Sequence, residues 1–149
     1  MIAISPRPAG RNWNTVSFPS TLYLIPILDL LLTKVPSRLQ AEVRLGLQEA
    51  LVNAAKHGNN LDPGKKVLVQ FSAIANEYWW VISDQGDGFE PPESGEEAIE
   101  DHLPCDEGEC GRGLFILHQV FDRVQWNDEG TELKLCKQVR HLSRLPLVP

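Results

Sequence analysis

Two segments rich in β-branched and aromatic residues, 66–75 and 77–84, lie almost end to end in this chain. Val, Ile, Phe and Trp favour a pleated, half-buried surface. A connection this tight makes the two segments an antiparallel pair. Immediately before them, Leu39, Val43, Leu47, Ala50, Leu51 and Ala54 recur at helical spacing. Ser37 and Gln40 have the spacing of a capping box, which predicts the helix start. Gly58 is expected to stop this helix in the left-handed conformation. Asp62-Pro63-Gly64 then predicts a turn within 60–65.

The rest of the chain is organised around this helix and hairpin. Residues 1–12 contain Pro and Gly and are expected to be loose. A short strand is expected over 13–18, where Val16 and Phe18 alternate with polar neighbours. A first helix should open near Ser20 or Thr21 and end before Pro36, with Pro26 kinking or delaying its start. Between Glu90 and Glu109 there are nine acidic residues and no Lys or Arg. Such a segment does not bury a core and is expected to be a mobile loop. An amphipathic helix over 113–121 turns Leu114, Leu117, Val120 and Phe121 inward. A final hairpin pairs 123–126 with 131–139, and the Pro-rich tail from 140 is expected to fray.

A length of 149 residues suits one domain with its own core. The net charge of -6 argues against nucleic acid, whose phosphates want a basic surface. A small anion remains possible, because a local site can oppose the global sign. Cys105, Cys110 and Cys136 are an odd, sparse set, which reads as reduced thiols in the cytoplasm. No signal peptide is expected at the N-terminus. The longest apolar stretch, 22–32, is broken by Pro26 and Asp29 and is too short to span a membrane. Asp29 itself should face solvent. His102, Cys105 and Cys110 include zinc-ligand types, but their spacing matches no established ligand pattern. Trp79 and Trp80 are expected in the core and on the sheet surface rather than as a base-stacking platform.

Four clusters carry candidate chemistry. The first is Glu49-Ala50-Leu51-Val52-Asn53-Ala54-Ala55-Lys56-His57-Gly58-Asn59. On a regular helix Glu49, Asn53, Lys56 and His57 share one face. A carboxylate, amide, ammonium and imidazole fill a core poorly. Beside buried neighbours, such a stripe borders a cleft; otherwise it is a solvated helix face. The second cluster, Ser83-Asp84-Gln85-Gly86-Asp87-Gly88-Phe89, closes an apolar strand whose Tyr78, Trp80 and Ile82 share a face with Asp84. A carboxylate there can accept from a ligand amine, while Gly86 and Gly88 let backbone approach a flat ring; alone, the cluster is equally an Asp-Gly turn. The third, Gly111-Arg112-Gly113-Leu114, is a glycine-flanked helix start, able to hold phosphate through free amides and the Arg fork. The fourth, Gly130-Thr131-Glu132, opens the last strand and offers a hydroxyl, or is simply a hairpin turn.

In this order and at these gaps, the clusters resemble the N, G1, G2 and G3 boxes of the GHKL ATPases. The likeness covers about 13–139, which makes 1–12 a leading segment and 140–149 a tail. Glu-Ala-Leu-x-Asn-Ala-x-x-His-Gly-Asn is most similar to the anti-sigma-factor serine/threonine kinases of that superfamily. The resemblance implies an α+β fold: a two-layer sandwich with a mixed, mostly antiparallel sheet and helices on one face. It implies ATP and Mg²⁺ as ligands, with Asn53 binding the metal and Glu49 as catalytic base. Asp84 would accept from the adenine amine, supported by Thr131, with Gly86 and Gly88 shaping the base pocket. Gly111, Arg112 and Gly113 would close over the phosphates, and Lys56 and His57 would touch phosphate or support the helix end. The acidic segment would be a lid that orders with Mg-ATP. The implied activity is phosphorylation of a serine or threonine on an anti-sigma-factor antagonist by a kinase that also binds a sigma factor. A homodimer is a further expectation, with no direct contact to nucleic acid or membrane. Two alternatives stay open: a non-catalytic ATP-binding switch that only binds regulatory partners, and slow ATP hydrolysis without a protein acceptor.

Overall fold

The computed structural model describes residues 11–88 and 109–139, with side chains of the last helix described from 113 onward. The expected acidic loop, together with His102 and Cys105, lies outside the described residues. So do 1–10 and 140–149.

Among the described residues, five strands form one sheet: β1 (Asn14–Pro19), β2 (Lys66–Ile74), β3 (Glu77–Ser83), β4 (Arg123–Trp126) and β5 (Glu132–Gln138). Their order is β1-β2-β3-β5-β4, and each described pairing is antiparallel. The β2–β3 connection turns through Ala75 and Asn76, with φ of 53° and 63°. Positive φ at both central residues gives the twist that suits a two-residue hairpin. Among the described residues, three α-helices complete the α+β sandwich: α1 (Ile25–Leu31), α2 (Ser37–Val52) and α3 (Glu109–Val120).

The core lies between the helices and one sheet face. Val43, Leu47, Ala50 and Leu51 of α2 and Leu114 and Leu117 of α3 pack with Val67, Val69, Trp80, Ile82, Leu133 and Leu135. These positions recur at helical spacing on α2 and alternate along the strands, as burying one face of each element requires. Trp80 anchors the layer. Its indole Nε1 donates to the Leu31 carbonyl at 3.2 Å, and its ring meets Phe121 edge-on at 5.7 Å. Close approach of α2 to the end of α3 depends on Gly46. A Cβ there would stand 2.6 Å from the Phe121 ring. Lys137 ties the same corner, donating to the Val120 carbonyl at 2.8 Å and pairing with Glu42 at 3.1 Å.

Trp79 lies on the opposite sheet face and is buried, as are Ser72, Val81 and Cys136. Arg11 reaches this face and donates to the Ser72 hydroxyl at 3.1 Å. Burial pushes the Cys136 thiol up to about 11, so it is an inert packing residue. Asp29 is exposed and pairs with Arg44 across the α1–α2 turn, an exposed contact that contributes little.

Several helix limits differ from the sequence-based expectation. The first helix opens at Ile25 rather than at Ser20 or Thr21, because Pro26 occupies its first turn, where a missing N–H costs nothing. The Ser37–Gln40 capping box does not form. Pro36 takes the N-cap position. The Gln40 amide instead donates backward to the Val35 carbonyl at 3.0 Å and tightens the preceding turn. Gly58 does not close the helix in the left-handed conformation. From Asn53 to Gly58 the helix widens into a π-helical turn, with Asn59 N donating to the Ala54 carbonyl at 2.9 Å. The reversal follows at Asn60 and Leu61, with φ of 53° and 54°. Finally, α3 starts at Glu109, one turn before the expected Gly113.

The π-helical turn delivers Asn59 into a fully buried position. Its Nδ2 donates to the Ser20 hydroxyl at 2.9 Å and to the Lys66 carbonyl at 3.0 Å. Its Oδ1 accepts from Gln85 N at 2.7 Å. One amide thus joins the loop after β1, the start of β2 and the loop after β3. Asn59→Ala removes three hydrogen bonds at once, a loss of roughly 3 kcal/mol. A clear drop in the urea midpoint is the expected result; a midpoint equal to wild type would show that the amide is not a structural tie.

Candidate functional site

The strand face that carries Trp80 and Ile82 ends at Asp84, which is held by its own backbone. Asp84 N donates to the Thr131 carbonyl at 2.9 Å, extending the β3–β5 ladder by one rung. Its Oδ1 accepts from Gly86 N at 2.9 Å. Burial raises its pKa to about 6, against the opposing effects of the Gly86 amide and of Lys65. A carboxylate is costly in such a place unless something there uses it.

The glycines around Asp84 are required by close contacts with its carboxyl group and with neighbouring backbone. A Cβ at Gly58 would stand 2.4 Å from the Asp84 carboxyl group. A Cβ at Gly86 would stand 1.9 Å from the Gly58 carbonyl oxygen. Gly88 has φ of 82°, and a Cβ there would meet the Glu129 carbonyl oxygen at 1.9 Å. Gly86 thus packs against the end of the widened helix, and Gly88 against the β4–β5 turn while lining the cleft.

Between these elements opens a cleft of about 320 Å³, a volume suited to a small ligand. Asn53 and His57 line it from the helix, Asp84, Asp87 and Gly88 from the loop after β3, and Leu114 from α3. Ile82, Leu133 and Trp126 add an apolar floor. The β4–β5 turn is fixed by the Asn127 side chain. Its Oδ1 accepts from Thr131 N at 2.9 Å, while its Nδ2 donates to the Thr131 hydroxyl at 3.0 Å. Thr131 therefore stands beside Asp84 through its carbonyl, with its hydroxyl already engaged by Asn127.

Glu49 and Asn53 converge on α3. A Cβ on Gly113 would lie 3.3 Å from Glu49 Oε2 and 3.5 Å from Asn53 Nδ2. This places the start of α3 within van der Waals reach of both polar groups. Gly111 falls in the first turn of α3, where amides lack partners within the helix. Arg112 is in the same turn; its side chain lies outside the described residues, as does that of Cys110.

The expected four-residue stripe is only partly assembled. Asn53 and His57 line the cleft; Glu49 is not among the lining residues and meets Asn53 beside Gly113. Lys56 is exposed and is not among the residues lining it. The π-helical turn explains the difference, because one extra residue per turn rotates Lys56 off the stripe. Gly86 also stands behind the lining rather than in it. Conversely, Asn60, Asp87 and Trp126 line the cleft without having been singled out in the sequence. For Trp126 a signal was present: Val124 and Trp126 alternate toward the core at the end of a short strand. Among the described residues no cluster of His, Cys, Asp and Glu is arranged to hold a metal. A cation at Asn53 would therefore need ligand oxygens from a bound anion as well as the amide.

Known proteins are similar to this chain in sequence. The chain is 24% identical over 132 residues to a protein named serine-protein kinase RsbW from Bacillus velezensis, covering 82% of each chain. It is 27% identical over 105 residues to the serine-protein kinase RsbW of Bacillus licheniformis, spanning 62% of that relative and 64% of this chain. An anti-sigma F factor of Clostridium perfringens is 26% identical over 101 residues, which is 66% of this chain and 71% of the relative. A model of the histidine kinase-like ATPase domain matches residues 30–137, from within α1 to the end of β5. With the family model spanning both the helical layer and the strands that enclose the cleft, the chain belongs to the histidine kinase-like ATPase domain family.

Proposed function

We propose that this protein is an ATP-dependent serine/threonine kinase that acts as an anti-sigma factor in the cytoplasm. It would phosphorylate an anti-sigma-factor antagonist and bind a sigma factor, so that partner and nucleotide together set which complex forms. The relatives' names support the kinase and anti-sigma parts of this reading. The observation that carries it is the convergence of Glu49 and Asn53 on Gly113, beside a cleft lined by both Asn53 and Asp84.

The residues suit the ligands. Asp84 supplies a partly desolvated acceptor, with one oxygen committed to Gly86 N, at the edge of an apolar floor. That combination fits the amine edge of adenine. Asn53 fits a metal-bridged phosphate, and the first-turn amides of α3 with Arg112 fit the remaining charge. Mg²⁺, when bound, supplies charge neutralisation for phosphoryl transfer, a reaction that asks mainly for positioning and electrostatics. Glu49, one turn before Asn53, is suited to take the proton of an incoming hydroxyl. Gly113 keeps α3 free of any side chain at that point. Gly86, Gly88 and Thr131 hold the Asp84 end, His57 lines the cleft, and Lys56 supports the helix end. A homodimer through the exposed Leu22, Tyr23 and Ile25 belongs to the same reading.

The testing experiment incubates the chain with Mg-ATP and proteins captured from its native lysate, followed by phosphosite mapping. Transfer to a serine or threonine is expected. Glu49→Gln should lower the transfer rate by about 10²–10⁴-fold while leaving ATP affinity nearly unchanged. Wild-type protein that binds ATP and its partners yet transfers nothing would make the domain a non-catalytic switch.

Asp84 gives a second prediction. Its raised pKa means that the folded state holds the proton more tightly than the unfolded chain between about pH 4 and pH 6. Stability contributed by the protonated form is therefore present below that window and lost as pH rises through it. Asp84→Asn should raise Tm relative to wild type at pH 7.5, with the difference vanishing below pH 4. The same variant should lose ATP affinity, because its amide nitrogen opposes the adenine amine. A variant that is less stable at pH 7.5 and binds ATP normally would contradict both halves.

A further inference from the structure

We infer that Trp126 determines base specificity, as an aromatic wall that selects a purine over a pyrimidine. The inference rests on the cleft being the ATP site. The register aligns Ile82 of β3 with Leu133 of β5, and Leu133 with Trp126 of β4. Directly opposed residues of antiparallel strands share a face. Ile82, Leu133 and Trp126 are therefore one cross-strand row, and all three line the cleft. Neighbouring strands lie about 4.8 Å apart, so the row spans roughly 10 Å of floor.

The members of the row do not contribute equally. Ile82 and Leu133 are each 2% exposed. Their surface is already spent on the core. Trp126, at the last position of the edge strand β4, is only half-buried. The row below it, Trp80–Leu135–Val124, packs under the helices and offers little to a ligand. Trp126, partly packed against the core, is thus the large aromatic ring that lines the cleft among the described residues.

Asp84 lies two residues beyond Ile82, just past the end of β3, and separates bases by their edge. It accepts from an exocyclic amine, which adenine and cytosine both carry and guanine lacks at that edge. Asp84 alone therefore does not distinguish ATP from CTP. Stacking does, because a purine covers more of an indole than a pyrimidine does. The division of labour is edge recognition by Asp84 and ring-size recognition by Trp126.

The test is calorimetric titration of the full chain with ATP, CTP and inorganic tripolyphosphate, using wild type, Trp126→Leu and Trp126→Phe. Trp126→Leu should weaken ATP about tenfold while changing CTP and tripolyphosphate little, so that discrimination collapses. Trp126→Phe should restore most of it. A folded Trp126→Leu protein that keeps the wild-type ratio of ATP to CTP affinity overturns the inference. A parallel loss for ATP and tripolyphosphate does the same, because it marks a structural role. Should Trp126→Leu not fold, fluorescence decides: the ATP-induced emission change of wild type must vanish in Trp126→Phe, and its persistence overturns the inference. Wild-type protein that binds no nucleotide would sink the ATP reading itself, and this inference with it.

Discussion

The Asn59 side chain is the tie on which the geometry of the cleft depends. Its single amide meets Ser20, the Lys66 carbonyl and Gln85 N, and it has no contact with solvent. Those partners belong to segments that follow β1, open β2 and follow β3. Holding them together brings the end of the long helix against the end of the central strand. Gly58 can then sit against the Asp84 carboxyl, and Gly86 against the Gly58 carbonyl. The tie works because the π-helical turn precedes it. An unbroken α-helix would point Asn59 elsewhere and return Lys56 to the polar stripe. A local irregularity that weakens helix geometry is thereby converted into a buried hydrogen-bond hub, which is worth more than a regular final turn.

The same architecture places a group where the fold alone would not want it. Asp84 sits at the end of a buried strand face, and burial lifts its pKa well above the ordinary carboxylate range. Among the described residues, Gly86 N donates to one of its oxygens. A carboxylate retained at a cost to stability is what a recognition role explains. Its surroundings are consistent with that: an apolar floor on one side, the Asn53 amide on the other, and glycines wherever two backbones must touch. Gly113 brings the start of α3 within van der Waals reach of Glu49 and Asn53.

Much of this was legible in the residues. The β2–β3 hairpin announced itself through Val, Ile, Phe and Trp, and the observed strands end within a residue of the expected limits. The apolar period of α2 predicted its buried face, and the order of the four polar clusters pointed to the family. What escaped is non-local. No spacing rule reveals that Gly86 is glycine because of Gly58, or that Gln40 prefers the Val35 carbonyl to its own helix start. The π-helical turn is equally silent, since Asn53 to Gly58 reads as ordinary helix. Trp126 was passed over because a four-residue edge strand carries little pattern of its own, although its partner Leu133 is deep in the core.

The central claim is one of convergence: groups from α2, α3 and the loop after β3 address the two ends of one bound nucleotide. A crystal structure of the chain with Mg²⁺ and a non-hydrolysable ATP analogue measures this most directly. The account predicts the adenine amine within hydrogen-bonding distance of the Asp84 carboxylate, with the phosphates beside Asn53 and the first turn of α3. A nucleotide bound outside this cleft, or bound in it with its phosphates at Asp84, would contradict the account.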